Sequence, residues 1–334
     1  MDPKLITRIL SQTDLKTKFR LAKVIPKIGK ADDLTKCMLC PNMCLYSCPV
    51  FNAERRLTVS PSVKSRLAYL SEEYEYEAIY RCLPCDACKQ LCPMDISVNE
   101  ALAKVRRSQH ETAKKAIEKF EKKIVKLKVE YERDGKILYF PGCSSIGSGL
   151  AKLTIDLLEK MNIDFSVRSD IVCCGMPYYE LGFTGKFLEK INQIKEIAKM
   201  YEGIISNCPH CVYILKENNI KATHIVTLLK PVGKIGGEIS YHDPCILARR
   251  LGIIEEPRRL LNEMGFQIHE PVFNRENTYC CGFGGVYKFI DEEMAQKVAK
   301  TRVSHFKYEI VTACPSCKDA LGGKDLVELC LEVL

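Results

Sequence analysis

The chain has 334 residues with 46% apolar content, enough for two or three globular domains with buried cores. Its 19 cysteines are an odd number in a long chain that begins Met1-Asp2-Pro3-Lys4 without an apolar signal core, which excludes the disulfide framework of a small secreted protein. The formal charge is +8 and no apolar run approaches the ~18 residues of a membrane-crossing helix, so a cytoplasmic protein is expected, soluble or peripheral on the cytoplasmic membrane face, with reduced thiols that hold metal.

In residues 1–30, Leu5, Ile6, Ile9, Leu10, Leu15, Phe19, Leu21 and Val24 predict one or two short amphipathic helices, ended by Pro26 and Gly29 and packed over the next domain. Residues 31–100 carry two cysteine runs, Cys37-x-x-Cys40-x-x-x-Cys44-x-x-x-Cys48-Pro49 and Cys82-x-x-Cys85-x-x-Cys88-x-x-x-Cys92-Pro93. The second matches the bacterial ferredoxin run, in which three closely spaced thiolates hold three corners of one cube and the fourth reaches the other cluster. Cys82, Cys85, Cys88 and Cys48 are therefore expected to hold one cubane 4Fe–4S cluster, and Cys37, Cys40, Cys44 and Cys92 the other. The first run departs from the pattern, with three residues between Cys40 and Cys44; a strained or three-iron cluster is the alternative there, and zinc the alternative for both. Between the runs, Ser60-Pro61 reads as a helix start, with Leu67, Leu70, Tyr74 and Ala78 following at helical spacing. This domain is expected to be mostly helical.

Residues 101–136 hold 12 Lys/Arg against 6 Asp/Glu and predict a long basic linker helix broken at Asp134-Gly135. Its charge suits a solvated face, or docking to an acidic partner or an anionic membrane surface. Nucleic acid is not expected, because the stretch has no recognition motif or aromatic platform.

A repeat fills the rest, over 137–236 and 237–334. The first copy has Cys143, then Cys173-Cys174-Gly175, then Cys208-Pro209-His210-Cys211; the second has Cys245, then Cys280-Cys281-Gly282, then Cys314-Pro315-Ser316-Cys317. The intervals are 29 and 33 residues in the first copy and 34 and 32 in the second. Five thiolates are one more than tetrahedral zinc needs, which points to a soft-metal cluster, iron–sulfur first. Apolar runs precede the cysteines at Ile137-Leu138-Tyr139-Phe140, Gly203-Ile204-Ile205-Ser206, Ile239-Ser240-Tyr241 and Glu309-Ile310-Val311-Thr312, and helical segments follow, as at Gly149 to Lys160 and Asp291 to Lys300. Strand, Cys-bearing turn and helix make an α/β unit with parallel strands and its ligands at the strands' carboxyl ends. Helix N-termini there favour anionic sulfur. Gly175, Gly282, Gly284 and Gly285 allow close backbone approach. A phosphate loop at Gly282-Phe283-Gly284-Gly285 is not supported, since no Gly-Lys-Ser/Thr follows. The expected fold class is α+β multi-domain: a mostly helical two-cluster ferredoxin-like domain, then two duplicated α/β cysteine-rich domains.

These motifs, from about Cys37 to Cys317, resemble the CCG-domain iron–sulfur oxidoreductases. That family includes the catalytic subunits of heterodisulfide reductase and the iron–sulfur subunits of glycolate, lactate and anaerobic glycerol-3-phosphate dehydrogenases. A two-cluster domain ahead of two CCG domains is similar to the D-type heterodisulfide reductase chain and to the glycolate oxidase iron–sulfur subunit. The resemblance implies that Cys143, Cys173, Cys174, Cys208 and Cys211 hold one noncubane 4Fe–4S cluster, and Cys245, Cys280, Cys281, Cys314 and Cys317 another. Zinc in one of the two sites is the alternative. The resemblance implies one of two functions. In the first the chain is an enzyme that reduces a small-molecule disulfide, or oxidises the thiols. In the second it conducts electrons for a separate partner, a flavoprotein or a membrane cytochrome or quinone-linked subunit, because the chain has no flavin or nicotinamide fingerprint of its own. His210 and His242 are candidates to donate a proton to a leaving thiolate, or to hydrogen-bond a cluster sulfur. Lys318 either balances cluster charge or is an exposed lysine. Cys330 belongs to no motif and is expected to be a buried core thiol.

Overall fold

A computed structural model describes residues 14, 32–70, 76–230 and 233–334. The helices expected between Lys4 and Ile28, and Tyr74, lie outside the described residues. Among the described residues, the first unit has short helices and turns and no strand: Asp33–Met38, Pro49–Glu54, Pro61–Tyr69, Ala87–Gln90 and Val98–Ala103. Side chains and prolines set the helix starts. Asp32 accepts from Thr35 N at 2.7 Å, and Pro49 and Pro61 open the helices that follow Cys48 and Ser60. The Ser60 hydroxyl does not cap; it donates back to Leu57 O, so Pro61 alone supplies the start. That helix ends at Tyr69, and Ala78 belongs to a separate 3-10 turn, Glu77–Ile79.

The basic stretch is not one long helix. It divides into Val98–Ala103 and Glu111–Ile124, the second started by His110, whose Nδ1 accepts from Thr112 N at 3.0 Å. Arg106 accounts for the break. Its guanidinium is buried and donates to Ile79 O and Glu180 O at 2.8–2.9 Å, which draws the linking residues into the core. The second helix buries Ala113, Ala116, Ile117 and Phe120, so only one face of it is basic. It stops well before Asp134-Gly135, because Arg133 lies antiparallel beside Val167 at the edge of the next sheet.

The repeats form two four-stranded parallel sheets with the same topology. The strands are β1 (Ile137–Tyr139), β2 (Phe165–Ser166), β3 (Gly203–Ser206), β4 (Ala222–His224), β5 (Gly237–His242), β6 (Phe266–Ile268), β7 (Glu309–Thr312) and β8 (Lys324–Asp325). The orders are β2-β1-β3-β4 and β6-β5-β7-β8. Leu138 pairs with Ile204 in the first sheet and Ser240 with Ile310 in the second. In each sheet the strand order reverses between the two central strands, and a crevice opens at their carboxyl ends. The lone cysteine follows one central strand and the Cys-Pro-x-Cys follows the other, so the topology alone brings three thiols to that crevice. Tyr139, Phe165 and Ile205 of the first sheet share one buried cluster with Ile239, Tyr241 and Val311 of the second, which fixes the two units against each other. No described helix is long and apolar enough to cross a membrane.

Candidate metal centres

In the helical unit, two neighbouring cavities collect the eight thiols. Cys48, Cys82, Cys85 and Cys88 line one, which we call the inner site. Cys37, Cys40, Cys44 and Cys92 line the other, the outer site, with Cys88 in the shared wall. Each site thus takes three thiols from one run and the fourth from the other. The chain achieves this with left-handed residues between the second and third cysteine of each run, Asn42 at φ 68° and Asp86 at φ 52°. Asn tolerates that conformation, and the tight turn at Asn42 takes up the extra residue of the first run. Burial pushes the Cys37 and Cys48 thiols up to about 11. Cys85 goes the other way, down to about 7, because contact with the Cys280 thiol and the nearby Arg249 charge outweigh burial.

Each repeat brings its own five thiols together. In the first, Cys143 touches Cys173, Cys173 adjoins Cys174, and Cys211 touches Cys174 and Cys208. In the second, Cys245 Sγ lies 3.8 Å from Cys280 Sγ and Cys281 Sγ 3.4 Å from Cys317 Sγ, while Cys314 adjoins Cys317. The turns correspond. Gly175 (φ 87°) and Gly282 (φ 89°) each donate a backbone N–H to the first thiol of their pair, at 3.3 and 3.5 Å. Cys208 and Cys314 are the N-caps of helices Pro209–Glu217 and Pro315–Leu321. At Gly142, a Cβ would come within 2.8 Å of Cys211 Sγ, so only glycine lets strand β1 end this close to the thiols.

The histidines differ between the copies. His210 is buried beside Cys208. Burial would lower its pKa, but the Cys208 hydrogen bond and the charges of Cys208, Cys245 and Cys314 push it up to about 10. Its Nε2 has no hydrogen-bond partner among the described residues. His242, Cys281 and Cys317 place one ring nitrogen and two sulfurs within 4.8 Å of one another. Arg302 Nε donates to His242 Nδ1 at 3.1 Å, which leaves the ring proton of the neutral imidazole on Nε2. Burial holds the His242 pKa below its ordinary value. Lys318 is half-buried and pairs with Glu328 at 2.8 Å, so it is neither exposed nor turned to the thiols. Cys330 is buried in the shared core, away from every thiol set.

A cavity of about 120 Å³ lies between the repeats. Cys143, Cys174, Cys208 and Cys211 of the first copy face it; from the second copy come Phe283, Lys288, Phe289 and Ser316, but no cysteine. Of the second copy's thiols, Cys245 and Cys280 pack with Cys48 and Cys85 of the helical unit, while Cys281, Cys314 and Cys317 pack among residues of their own repeat. Cys280 meets Cys85, and Arg249 Nη1 donates to Cys85 O at 2.5 Å. Buried Arg250 pairs with buried Asp86 at 2.7 Å and with Glu100. Arg81 pairs with Glu54 at 2.9 Å and Asp291 at 2.7 Å, and Tyr287 donates to Glu54 at 2.7 Å. Sequence reasoning missed Lys64, Arg106, Arg250, Lys288 and Arg302. Their only signal was a charge set in an apolar window, as in Ile246-Leu247-Ala248-Arg249-Arg250-Leu251.

Comparison with known proteins gives two family matches. The 4Fe-4S dicluster domain matches residues 33–96, and the cysteine-rich domain CCG matches residues 137–216 and 239–322. Among curated relatives, one of the subunits of the fumarate reductase (CoM/CoB) of Methanothermobacter marburgensis is 25% identical over 295 residues, covering 75% of this chain and 58% of the relative. A chain of the dihydromethanophenazine:CoB–CoM heterodisulfide reductase of Methanosarcina acetivorans, the D-type one, is 29% identical, covering 59% of this chain and 56% of the relative. "Lactate utilization protein A" of Oceanobacillus iheyensis is 24% identical, covering 57% of this chain and 89% of the relative. The chain spans about half the length of the first two. No solved structure matches it.

Proposed function

The chain belongs to the CCG-domain iron–sulfur oxidoreductases, with a 4Fe–4S dicluster domain ahead of two CCG domains, and from that premise we propose that it reduces a small-molecule disulfide, or oxidises the thiols, in the cavity between its repeats. The observation that carries this reading is the placement of the thiols. Four thiols of the first set line the cavity, and Cys280 of the second set meets Cys85 of the dicluster domain.

The donor sets fit iron–sulfur clusters. Each four-cysteine set draws on both runs, as a pair of cubanes requires. Each five-cysteine set is all sulfur, and in the second copy the Arg302 contact makes His242 Nε2 a hydrogen-bond donor rather than a metal ligand. We assign Cys48, Cys82, Cys85 and Cys88 to one cubane, Cys37, Cys40, Cys44 and Cys92 to the other, and one noncubane cluster to each five-cysteine set. Bound there, the clusters supply one-electron carriers, and a pair of them suits a two-electron disulfide–dithiol couple.

The chain's own residues shape the cavity around that chemistry. Phe120, Phe283 and Phe289 give it apolar walls beside the first repeat's thiols. Lys288 projects over the Phe283 and Phe289 rings, 5.3 and 5.7 Å from their centroids, and lies 3.7 Å from Asp319 of the same cavity; burial lowers its pKa, which makes it a candidate proton donor to a leaving thiolate. His210 lines the same cavity, and although burial lowers its pKa its contact with Cys208 raises it overall, so it can hold a proton near that thiolate. Electrons come from a separate partner, a flavoprotein or a quinone-linked protein.

The second reading is an electron-transfer component of a flavin-dependent 2-hydroxy acid or glycerol-3-phosphate dehydrogenase complex. The relative named for lactate utilization, most of whose length the chain covers, supports it. Protein purified without oxygen, counted for iron, sulfide and zinc, and given a reduced viologen dye with a panel of low-molecular-weight disulfides separates the two. Turnover with about sixteen irons per chain, as four four-iron clusters require, is the expected result. The same iron without turnover supports the conduit.

A further inference from the structure

Lys64 is the most completely buried lysine among the described residues, with 1% of its surface exposed. It sits on helix Pro61–Tyr69 and lines the inner site beside Cys48, Cys82 and Cys88. Its ammonium makes one hydrogen bond, to Arg81 O at 3.0 Å, and forms no ion pair with any described carboxylate. Asp86 lines the same cavity, but its charge is taken by Arg250 at 2.7 Å.

A buried ammonium without a counter-charge is expensive and ordinarily loses its proton. The groups that share the cavity with Lys64 are the sulfurs of Cys48, Cys82, Cys85 and Cys88, which become its counter-charge only as the thiolates of a bound cluster, while the Arg106 charge nearby opposes it. The outer site is different. The lysine in its wall is Lys36, half-exposed and hence screened by water. One added electron makes an occupied site one unit more negative, and a fixed cation in a low-dielectric wall stabilises that state more than the oxidised one.

We propose that the Lys64 ammonium raises the reduction potential of a cluster held by Cys48, Cys82, Cys85 and Cys88 above that of the cluster held by Cys37, Cys40, Cys44 and Cys92. The inner site then accepts one electron as the outer site gives one up, next to the Cys85–Cys280 contact that leads into the second repeat. The inference rests on the iron–sulfur reading above.

The test is a redox titration of the anaerobic holoprotein followed by electron paramagnetic resonance, on wild type, Lys64→Met and Lys64→Arg. Wild type is expected to show two dicluster signals at separate potentials. Lys64→Met moves the higher one down and leaves the lower one in place, and Lys64→Arg restores it. Full iron in Lys64→Met with both potentials unchanged overturns the inference. Wild-type protein with no cubane signals overturns the iron–sulfur reading instead. If Lys64→Met fails to hold iron, wild type alone decides by adding a soluble paramagnetic relaxing agent. The higher-potential signal must be the shielded one, since Cys48, Cys82 and Cys85 are buried while Cys40, Cys44 and Cys92 are half-exposed; the opposite assignment overturns the inference.

Discussion

In the first repeat, Cys174, Cys208 and Cys211 line a cavity shared with Lys288 and Ser316; in the second, Cys280 meets Cys85 of the dicluster domain and no thiol lines that cavity. Yet both copies have the same strand order, the same left-handed glycine after the cysteine pair and the same Cys-Pro helix start. The sulfur-gathering geometry is common to both copies, and what changed lies beside it. His210 in one Cys-x-x-Cys is Ser316 in the other. Glu180 and Tyr287 each stand six residues past the cysteine pair. Glu180 accepts from Val286 N of the second repeat, whereas Tyr287 donates to Glu54 of the dicluster domain. Duplication supplied two equivalent thiol sets, and side chains a few residues away turned one toward the cavity and one toward the dicluster domain.

Serine exchanges test that division most severely. Cys211→Ser should abolish disulfide turnover with any donor, a loss beyond the ~10–100-fold typical of changes just outside a metal's ligands. Cys317→Ser should abolish turnover driven through the dicluster domain while leaving dye-driven turnover measurable, because a small dye reaches the first repeat through the cavity. Equal loss with both donors would break the comparison. Next in size is Arg250, the buried cation that holds the second repeat to Asp86 and also lies over the Tyr213 ring of the first, at 4.7 Å. Arg250→Met leaves Asp86 buried and unpaired, a cost of ~3–5 kcal/mol. Anaerobic urea unfolding should show it, and Asp86→Asn in the same chain should recover part of it. Arg250→Met with an unchanged midpoint would mean that the contact does not hold the domains together.

The central strands and their thiols were legible because two signals coincide there. Gly203–Ser206 and Glu309–Thr312 are buried apolar runs, each followed at once by Asn-Cys or Ala-Cys, and both appear as read. The edge strands Phe165–Ser166, Ala222–His224, Phe266–Ile268 and Lys324–Asp325 were not legible, since two or three residues are too few to show a period. The linker misled because helical spacing continues through residues claimed by tertiary bonds: the Arg106 guanidinium by Ile79 O and Glu180 O, the Arg107 backbone by the Tyr80 hydroxyl and the Arg133 backbone by Val167. Nor could sequence tell the two repeats' roles apart. That difference lies in contacts such as Cys85–Cys280, between residues nearly two hundred positions apart.

A smaller effect is expected where the repeats touch. Gly285 has φ 67°, and a Cβ there would lie 2.3 Å from Glu180 Oε2, inside the first repeat's buried carboxylate. Gly285→Ala combines backbone strain with overpacking, ~1–3 kcal/mol for the latter. Gly149→Ala is the control, with φ 76° and nothing within 4 Å of the added carbon, so it carries only the ~1–2 kcal/mol of a left-handed L-residue. Thermal unfolding should rank Gly285→Ala below Gly149→Ala; the reverse order would show that the two repeats are not in contact at Glu180.

The smallest effect is a pH dependence confined to the second repeat's side. Burial alone would raise the Glu54 carboxyl, but hydrogen bonds from Arg56, Tyr287 and Arg81 hold it below the ordinary carboxylate range. A carboxyl lowered in the folded state stabilises it fully above the unfolded value, ~4.3 for Glu, and loses that contribution as pH falls through the folded value. Glu54→Gln removes the titration, so the urea midpoint of wild type minus that of Glu54→Gln should shrink on acidification below about pH 5. Taking the difference cancels any acid loss of metal common to both proteins. Tyr287→Phe removes only the bond from the second repeat and should move the onset of the loss to higher pH. If it leaves the onset unchanged, Tyr287 does not help hold the Glu54 charge, and the position that distinguishes it from Glu180 does not tie the second repeat to the dicluster domain.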